Sequence, residues 1–137
     1  MTVCLLDSDS LIDDLNGFHS TIAVIELLYR QGHDLATCDV VMSEVYAGLR
    51  PLDRERGDDL FGGLRFLPSS PAAAKRAGLW RYEEARRGRQ AATSDSLIAA
   101  IAIEHAAILV TGNVAHFQVP GLTLHELPRD GGGPARR

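Results

Sequence analysis

Three carboxylates, Asp7, Glu44 and Asp95, stand beside or inside apolar sequence. Asp7 ends the run Val3-Cys4-Leu5-Leu6, Glu44 interrupts the stretch from Val40 to Leu49, and Asp95 opens the stretch from Leu97 to Ile103. An ionised carboxylate taken out of water costs several kcal/mol unless something positive meets it. Few cationic side chains lie close to these three in sequence, so the economical partner is a divalent metal ion shared among them. That points to metal-dependent phosphodiester chemistry. Mg²⁺ prefers oxygen ligands in octahedral geometry and keeps several waters, so two or three carboxylates suffice to hold it. Such an ion activates water and neutralises charge that builds on phosphoryl oxygens. The five histidines are not needed for it, and His116 beside Phe117 and His105 at a helix end read as structural.

Taken singly, two of the acids have plainer explanations. Asp7 at a strand-to-helix junction could cap the helix, and Asp95 in a first helical turn is favoured by the macrodipole by about 0.3–1 kcal/mol. Glu44 is harder to explain. It falls mid-helix with Val41, Ala47 and Gly48 at three- and four-residue spacing, which leaves it a poor route to solvent. A buried Glu without a cation should hold its proton, and a metal reverses that preference.

The elements that must position these acids follow from pattern. Val3 to Leu6 reads as a buried strand, followed by a helix capped by Ser8 or Ser10 and broken at Asn16-Gly17. Ser20 to Gln31 repeats at helical period and Gly32 closes it. Asp34 to Cys38 reads as a second strand, and Asp39 can cap a helix to about Leu49, stopped by Arg50-Pro51. A polar helix from Leu52 to about Leu64 and a brief strand from Arg65 to Pro68 follow. Ser70-Pro71 opens a helix to about Arg86, with Pro at the first position. Thr93 or Ser94 caps a helix to His105, Ala107 to Val110 is a strand, Thr111-Gly112-Asn113 is the turn after it, and Gly121 to Glu126 is a final strand. Strands alternating with helices argue for a parallel sheet covered on both faces. Ligands of such sheets bind beyond the carboxyl ends of the strands, where Asp7 and Thr111 to Asn113 fall.

A chain of 137 residues fits one domain, and 45% hydrophobic with 23% charged residues is ordinary globular composition. The expected division is a domain over 1–127 and a disordered Gly-rich tail over 128–137. No stretch approaches the roughly 20 apolar residues that span a bilayer, and the N-terminus lacks a basic signal-peptide region. Cys4 and Cys38 show no metal-type spacing and read as reduced, buried thiols of a cytoplasmic protein. The net charge of −4 disfavours a broad basic nucleic-acid surface, so any basic contact must be local. All but one of the 14 basic residues are Arg, Lys75 being the exception, which fits GC-rich coding bias.

Four blocks carry a resemblance. Leu5 to Ile12, Ser43 to Leu49, Asp95 to Ala100, and Leu109 to Asn113 running on through His116-Phe117 resemble the motifs of PIN domains, in that family's order and across nearly the whole chain. Size and spacing are most similar to the VapC toxins of toxin–antitoxin pairs. The resemblance implies a three-layer α/β/α fold with a central, mainly parallel sheet. It also implies metal-dependent endoribonuclease activity with Mg²⁺ (Mn²⁺ as substitute), an RNA substrate, a small cognate antitoxin whose tail occupies the active site, and a homodimer. Carried over by position, Asp7 and Asp95 ligate the metal directly, Glu44 ligates it or holds one of its waters, and Ser8 and Thr111 hydrogen-bond the ligands. Many members of the family carry a fourth acid where this chain has Asn113. Asn113 can still coordinate or hold a water but adds no charge, so one-metal hydrolysis is expected; Asp9 either compensates or serves the helix start.

Arg86, Arg87 and Arg89, just before the Asp95 helix, are candidates to clamp RNA phosphates or to complement a helix C-terminus. Two rival readings stand beside the nuclease. One is a PIN-fold binding module that contacts RNA or an antitoxin without cutting, supported by Asn113. The other is a haloacid-dehalogenase-like phosphatase, suggested by Asp7-Ser8-Asp9-Ser10 and Ile108 to Thr111. That second reading needs a Lys after Thr111, which the chain lacks, and leaves Glu44 unexplained.

Overall fold

The computed structural model describes residues 2–17 and 19–128. The expected tail therefore lies outside the described residues, apart from Pro128. The elements run β1 (Val3–Leu6), α1 (Ser8–Leu15), α2 (His19–Arg30), β2 (Asp34–Thr37), α3 (Asp39–Ala47), α4 (Arg54–Gly62), β3 (Arg65–Phe66), α5 (Pro71–Arg86), α6 (Thr93–Glu104), β4 (Ile108–Thr111) and β5 (Thr123–Glu126). Short 3-10 turns at Pro51–Asp53 and Val114–Phe117 complete them.

The strands form one sheet in the order β3-β2-β1-β4-β5, every pairing parallel. Leu5, Leu6, Leu109 and Val110 are completely buried at its centre. Such runs suit strands covered on both faces. The chain steps outward from β1 through β2 to β3, then returns to place β4 on the other side of β1. With right-handed crossovers that reversal lays α5 and α6 over the face opposite the earlier helices, giving the three α/β/α layers expected. The strand order switches direction between β1 and β4, and a crevice opens there at their carboxyl ends.

At three helices the N-cap falls ahead of the residues expected from sequence. α1 is preceded by Asp7, α3 by Cys38 and α6 by Ala92 at the N-cap, none with a side-chain cap bond. The expected Ser8 or Ser10, Asp39, and Thr93 or Ser94 instead lie inside their helices. Ser10 donates to the Val110 carbonyl at 3.1 Å, tying α1 to β4. Asp39 accepts from the Val40 N–H at 2.8 Å. Only Ser70 caps as expected, accepting from the Ala73 N–H at 3.1 Å ahead of Pro71. Gly32 closes α2 at φ +87°, a conformation that favours glycine.

The core gathers around α6, whose Ile98, Ala99, Ala100, Ile101 and Ala102 are all buried. On α2, Ile25 and Leu28 belong to the core while Leu27 and Tyr29 are exposed. Cys4 and Cys38 are free and buried, and burial pushes the Cys38 thiol up to about 11, so it stays neutral. Among the described residues no helix is long and apolar enough to cross a membrane.

Candidate metal centre

The β1–β4 crevice holds a cavity of about 270 Å³ lined by four carboxylates: Asp7, Asp9, Glu44 and Asp95. Ser8, Asn113 and His116 complete its polar wall, with Ile12 and Phe117 as apolar contacts. Among the described residues, no Lys or Arg lines it. Asp7 and Asp9 come from the end of β1 and the first turn of α1. Glu44 comes from the middle of α3, Asp95 from the first turn of α6, and Asn113 from the end of β4. Residues far apart in sequence thus converge because β1 and β4 are neighbours.

Asp7 is the anchor. Its side chain is only 5% exposed. Its N–H donates to the Val110 carbonyl at 3.0 Å, and its Oδ2 accepts from the Thr111 hydroxyl. Burial pushes its carboxyl up to about 6; Thr111 and the Ser8 N–H pull against that, and the charges of Asp9 and Asp95 add to it. Thr111 accepts in turn from the Asn113 N–H at 3.0 Å, so its own proton is committed to Asp7.

Asp95 is half-buried. Burial raises its carboxyl above the usual range, His116 opposes the rise, and the charges of Glu44 and Asp9 add to it. His116 Nδ1 lies 3.7 Å from Asp95 Oδ2. Glu44 is less enclosed than its neighbours in sequence imply: Val41 and Val45 are buried, but its carboxylate opens into the cavity and accepts from the Ser8 hydroxyl. Asp9 is exposed and accepts from the Asn113 side-chain amide.

Each carboxylate therefore has its own neutral or imidazole partner. Among the described residues no three of His, Cys, Asp and Glu are drawn into one ligand set in this arrangement. The donor chemistry nonetheless suits a hard divalent ion. The carboxylates facing the cavity offer oxygen alone, the set that Mg²⁺ and Mn²⁺ take and Zn²⁺ or Cu²⁺ do not favour. Asp7 also carries a penalty for ionising that a cation would remove.

Two residues matter here beyond the expected triad. His116 was expected to be structural and instead lines the cavity; its place three residues after Asn113, on the 3-10 turn, was the available signal. Asp9 is the fourth acid of the wall. The three candidate arginines do not line the cavity. Arg89 binds both oxygens of Glu84 at 3.0 and 3.2 Å, and Arg87 lies 3.6 Å from the same carboxylate. Arg86 lies 5.7 Å over the Tyr82 ring. Lys75 is on α5, beside a separate hollow of about 670 Å³ between α5 and α6.

The sequence profile of the PIN domain matches residues 4–122. Ribonuclease VapC19 of Mycobacterium tuberculosis is 30% identical over 115 residues, 82% of this chain and 90% of that protein. A chain of VapBC2 from Rickettsia felis, solved bound to a DNA fragment from its promoter, superposes with a TM-score of 0.82 at 24% identity, covering 93% of this chain and all of that one. The DNA-bound VapBC complex of Salmonella typhimurium gives a TM-score of 0.76 at 22% identity, over 92% of this chain and 98% of the other.

Proposed function

Because the chain belongs to the PIN-domain family, we propose that it is an RNA-cleaving hydrolase: a Mg²⁺-dependent endoribonuclease, the toxin of a VapBC-type pair. The observation that carries this reading is the wall of four carboxylates at the sheet's switch point, with no Lys or Arg among its lining residues. A phosphodiester is itself an anion and would be repelled from such a cavity. A divalent ion bound there would supply the Lewis acid that draws the scissile phosphate in and offsets charge on its oxygens.

In this reading Asp7, Glu44 and Asp95 hold the ion. Ser8 and Thr111 fix the Glu44 and Asp7 carboxylates through their hydroxyls. Such hydrogen bonds orient ligands and raise metal affinity. Burial of Asp7 behind β1 keeps bulk water from screening its charge. Among the described residues, His116 is the one lining side chain able to carry positive charge. It can donate a hydrogen bond to a phosphate oxygen at the mouth.

The partner supported by the VapBC complexes named above is a small antitoxin. A homodimer and a cytoplasmic location belong to the same proposal. Leu27 and Tyr29, exposed on α2, offer apolar surface for either contact. Arg86, Arg87 and Arg89 remain candidates for RNA, Arg87 and Arg89 on release from Glu84 and Arg86 on leaving the Tyr82 ring.

One observation favours a second reading. The carboxylates are paired singly with Ser8, Thr111, Asn113 and His116 rather than gathered in threes. A binding module without turnover would look the same. Cleavage of a mixed, structured RNA pool by antitoxin-free protein separates the two, run with Mg²⁺, with Mn²⁺ and with chelator beside Asp7→Asn and Asp95→Asn. The nuclease cuts with metal and both variants fail. Full activity in Asp95→Asn would remove this assignment of the site. Metal uptake that both variants lose, without any cutting, points to an RNA missing from the pool, whereas no metal uptake at all supports the module.

A further inference from the structure

We propose that Asp9 supplies a fourth carboxylate to the cation site and that Asn113 is the residue that positions it. The inference rests on the metal-dependent reading above and assigns roles to this chain's own residues within it.

Asp9 stands in the first turn of α1, where the helix dipole alone would favour an acid. The dipole does not account for its partner. Asn113, 104 residues away at the end of β4, turns its side-chain amide onto Asp9 Oδ2. The N-cap position of α1 belongs to Asp7 and not to Asp9. Its carboxylate lines the same cavity as Asp7, Glu44 and Asp95.

The bond to Asp9 belongs to a chain of three. Asn113 donates its side-chain amide to Asp9 and its backbone N–H to the Thr111 hydroxyl at 3.0 Å, and Thr111 donates to Asp7. One residue of the β4 end therefore sets the separation of two carboxylates that come from β1 and α1. The residue type at 113 follows from this geometry. A carboxylate there would face Asp9 as a like charge at contact distance, whereas an amide donates to it. An acid at 9 and an amide at 113 give one negative charge and one hydrogen bond across the cavity. Asp9 faces the same cavity as Asp7 and Asp95. A cation seated among them would feel all of these charges.

The test uses the full chain and reads Mn²⁺ and Mg²⁺ binding by calorimetry, with RNA cleavage as the second readout. Asp9→Asn should weaken Mn²⁺ binding about 10- to 100-fold, the range for ligands and their supports. Asn113→Ala should weaken it less, and only while Asp9 is present. The exchange D9N/N113D, which returns the charge from the opposite side of the same pair, should restore most of the affinity. Circular dichroism checks that each variant folds. Asp9 is exposed and Asn113 half-buried, so neither removal opens a core cavity. Wild-type affinity in Asp9→Asn, alongside loss in Asp7→Asn, would overturn this inference and leave the nuclease reading intact. A double variant no better than Asp9→Asn would overturn the pairing. If the wild-type protein takes up no Mn²⁺ at all, the metal-dependent reading falls and this assignment falls with it.

Discussion

Replacing Asp7 with Asn should stabilise the metal-free protein near pH 7.5 while abolishing cleavage. The carboxyl is held at about 6 against 3.8 for the free side chain, chiefly by burial. One pKa unit corresponds to about 1.36 kcal/mol, so a shift of roughly two units makes the ionised Asp7 cost the fold about 3 kcal/mol. The sign follows from proton uptake. A carboxyl raised in the folded state binds its proton more tightly there than in the unfolded chain. Its favourable share of stability is complete below about pH 4 and is lost as pH climbs through 6. Asn has nearly the same shape, carries no charge, and its carbonyl oxygen can still accept from Thr111. Some of the gain is lost because the amide nitrogen cannot accept from the Ser8 N–H as a carboxylate oxygen does, so about 1–3 kcal/mol is expected. For a chain of this length that is a rise in Tm of several degrees. Denaturant unfolding in chelator at pH 4.5, 6 and 7.5 reads it directly. The difference between the proteins should be near zero at pH 4.5 and open towards pH 7.5. A difference independent of pH, or an Asp7→Asn protein weaker throughout, would refute the electrostatic argument for this site.

Three further outcomes follow from the same geometry. Asp95→Asn and Glu44→Gln should each lower the cleavage rate about 100-fold or more, by analogy with loss of a transition-state charge partner, with unchanged circular dichroism; a variant that cuts at the wild-type rate removes its residue from the site. Mg²⁺ or Mn²⁺ should raise the Tm of the wild-type protein at pH 7.5 and much less at pH 5, because protons on Asp7 and Asp95 compete with the ion; a shift equal at both pH values would place the ion elsewhere. Thr111→Val should remove the hydroxyl that holds Asp7, costing about 1–3 kcal/mol at pH 7.5 and less at pH 4.5, as read from paired denaturation curves.

Much of the scaffold was legible in sequence. Apolar runs such as Val3 to Leu6 and Ala107 to Val110 are short and contain β-branched residues, which is enough to place buried strands, the second within one residue of the observed Ile108–Thr111. The α5 start was legible as well, since Ser70 followed by Pro71 is a local signal whose partner, Ala73, is three residues away. The starts of α1, α3 and α6 were misplaced because the expected caps lie inside their helices, and at α1 the distant partners that claim the side chains are visible. Asp7 serves Thr111 across the sheet instead of its own helix, and Ser10 serves Val110.

The acids at 7, 44 and 95 could be singled out by sequence alone because each breaks an apolar pattern, and a pattern is a property of neighbours along the chain. What the sequence could not supply was which distant elements touch. Whether Asp9 acts at a helix start or in the cavity depends on Asn113 reaching it from β4. Whether His116 is structural depends on the 3-10 turn facing Asp95, and whether the α5 arginines are free depends on Glu84 gathering them. Those contacts exist because the reversal after β3 brings β4 against β1. Periodicity and spacing act over a few residues, where the backbone fixes the geometry. Strand order is decided by burying all the apolar faces at once, and the site's electrostatics exist only after that has happened.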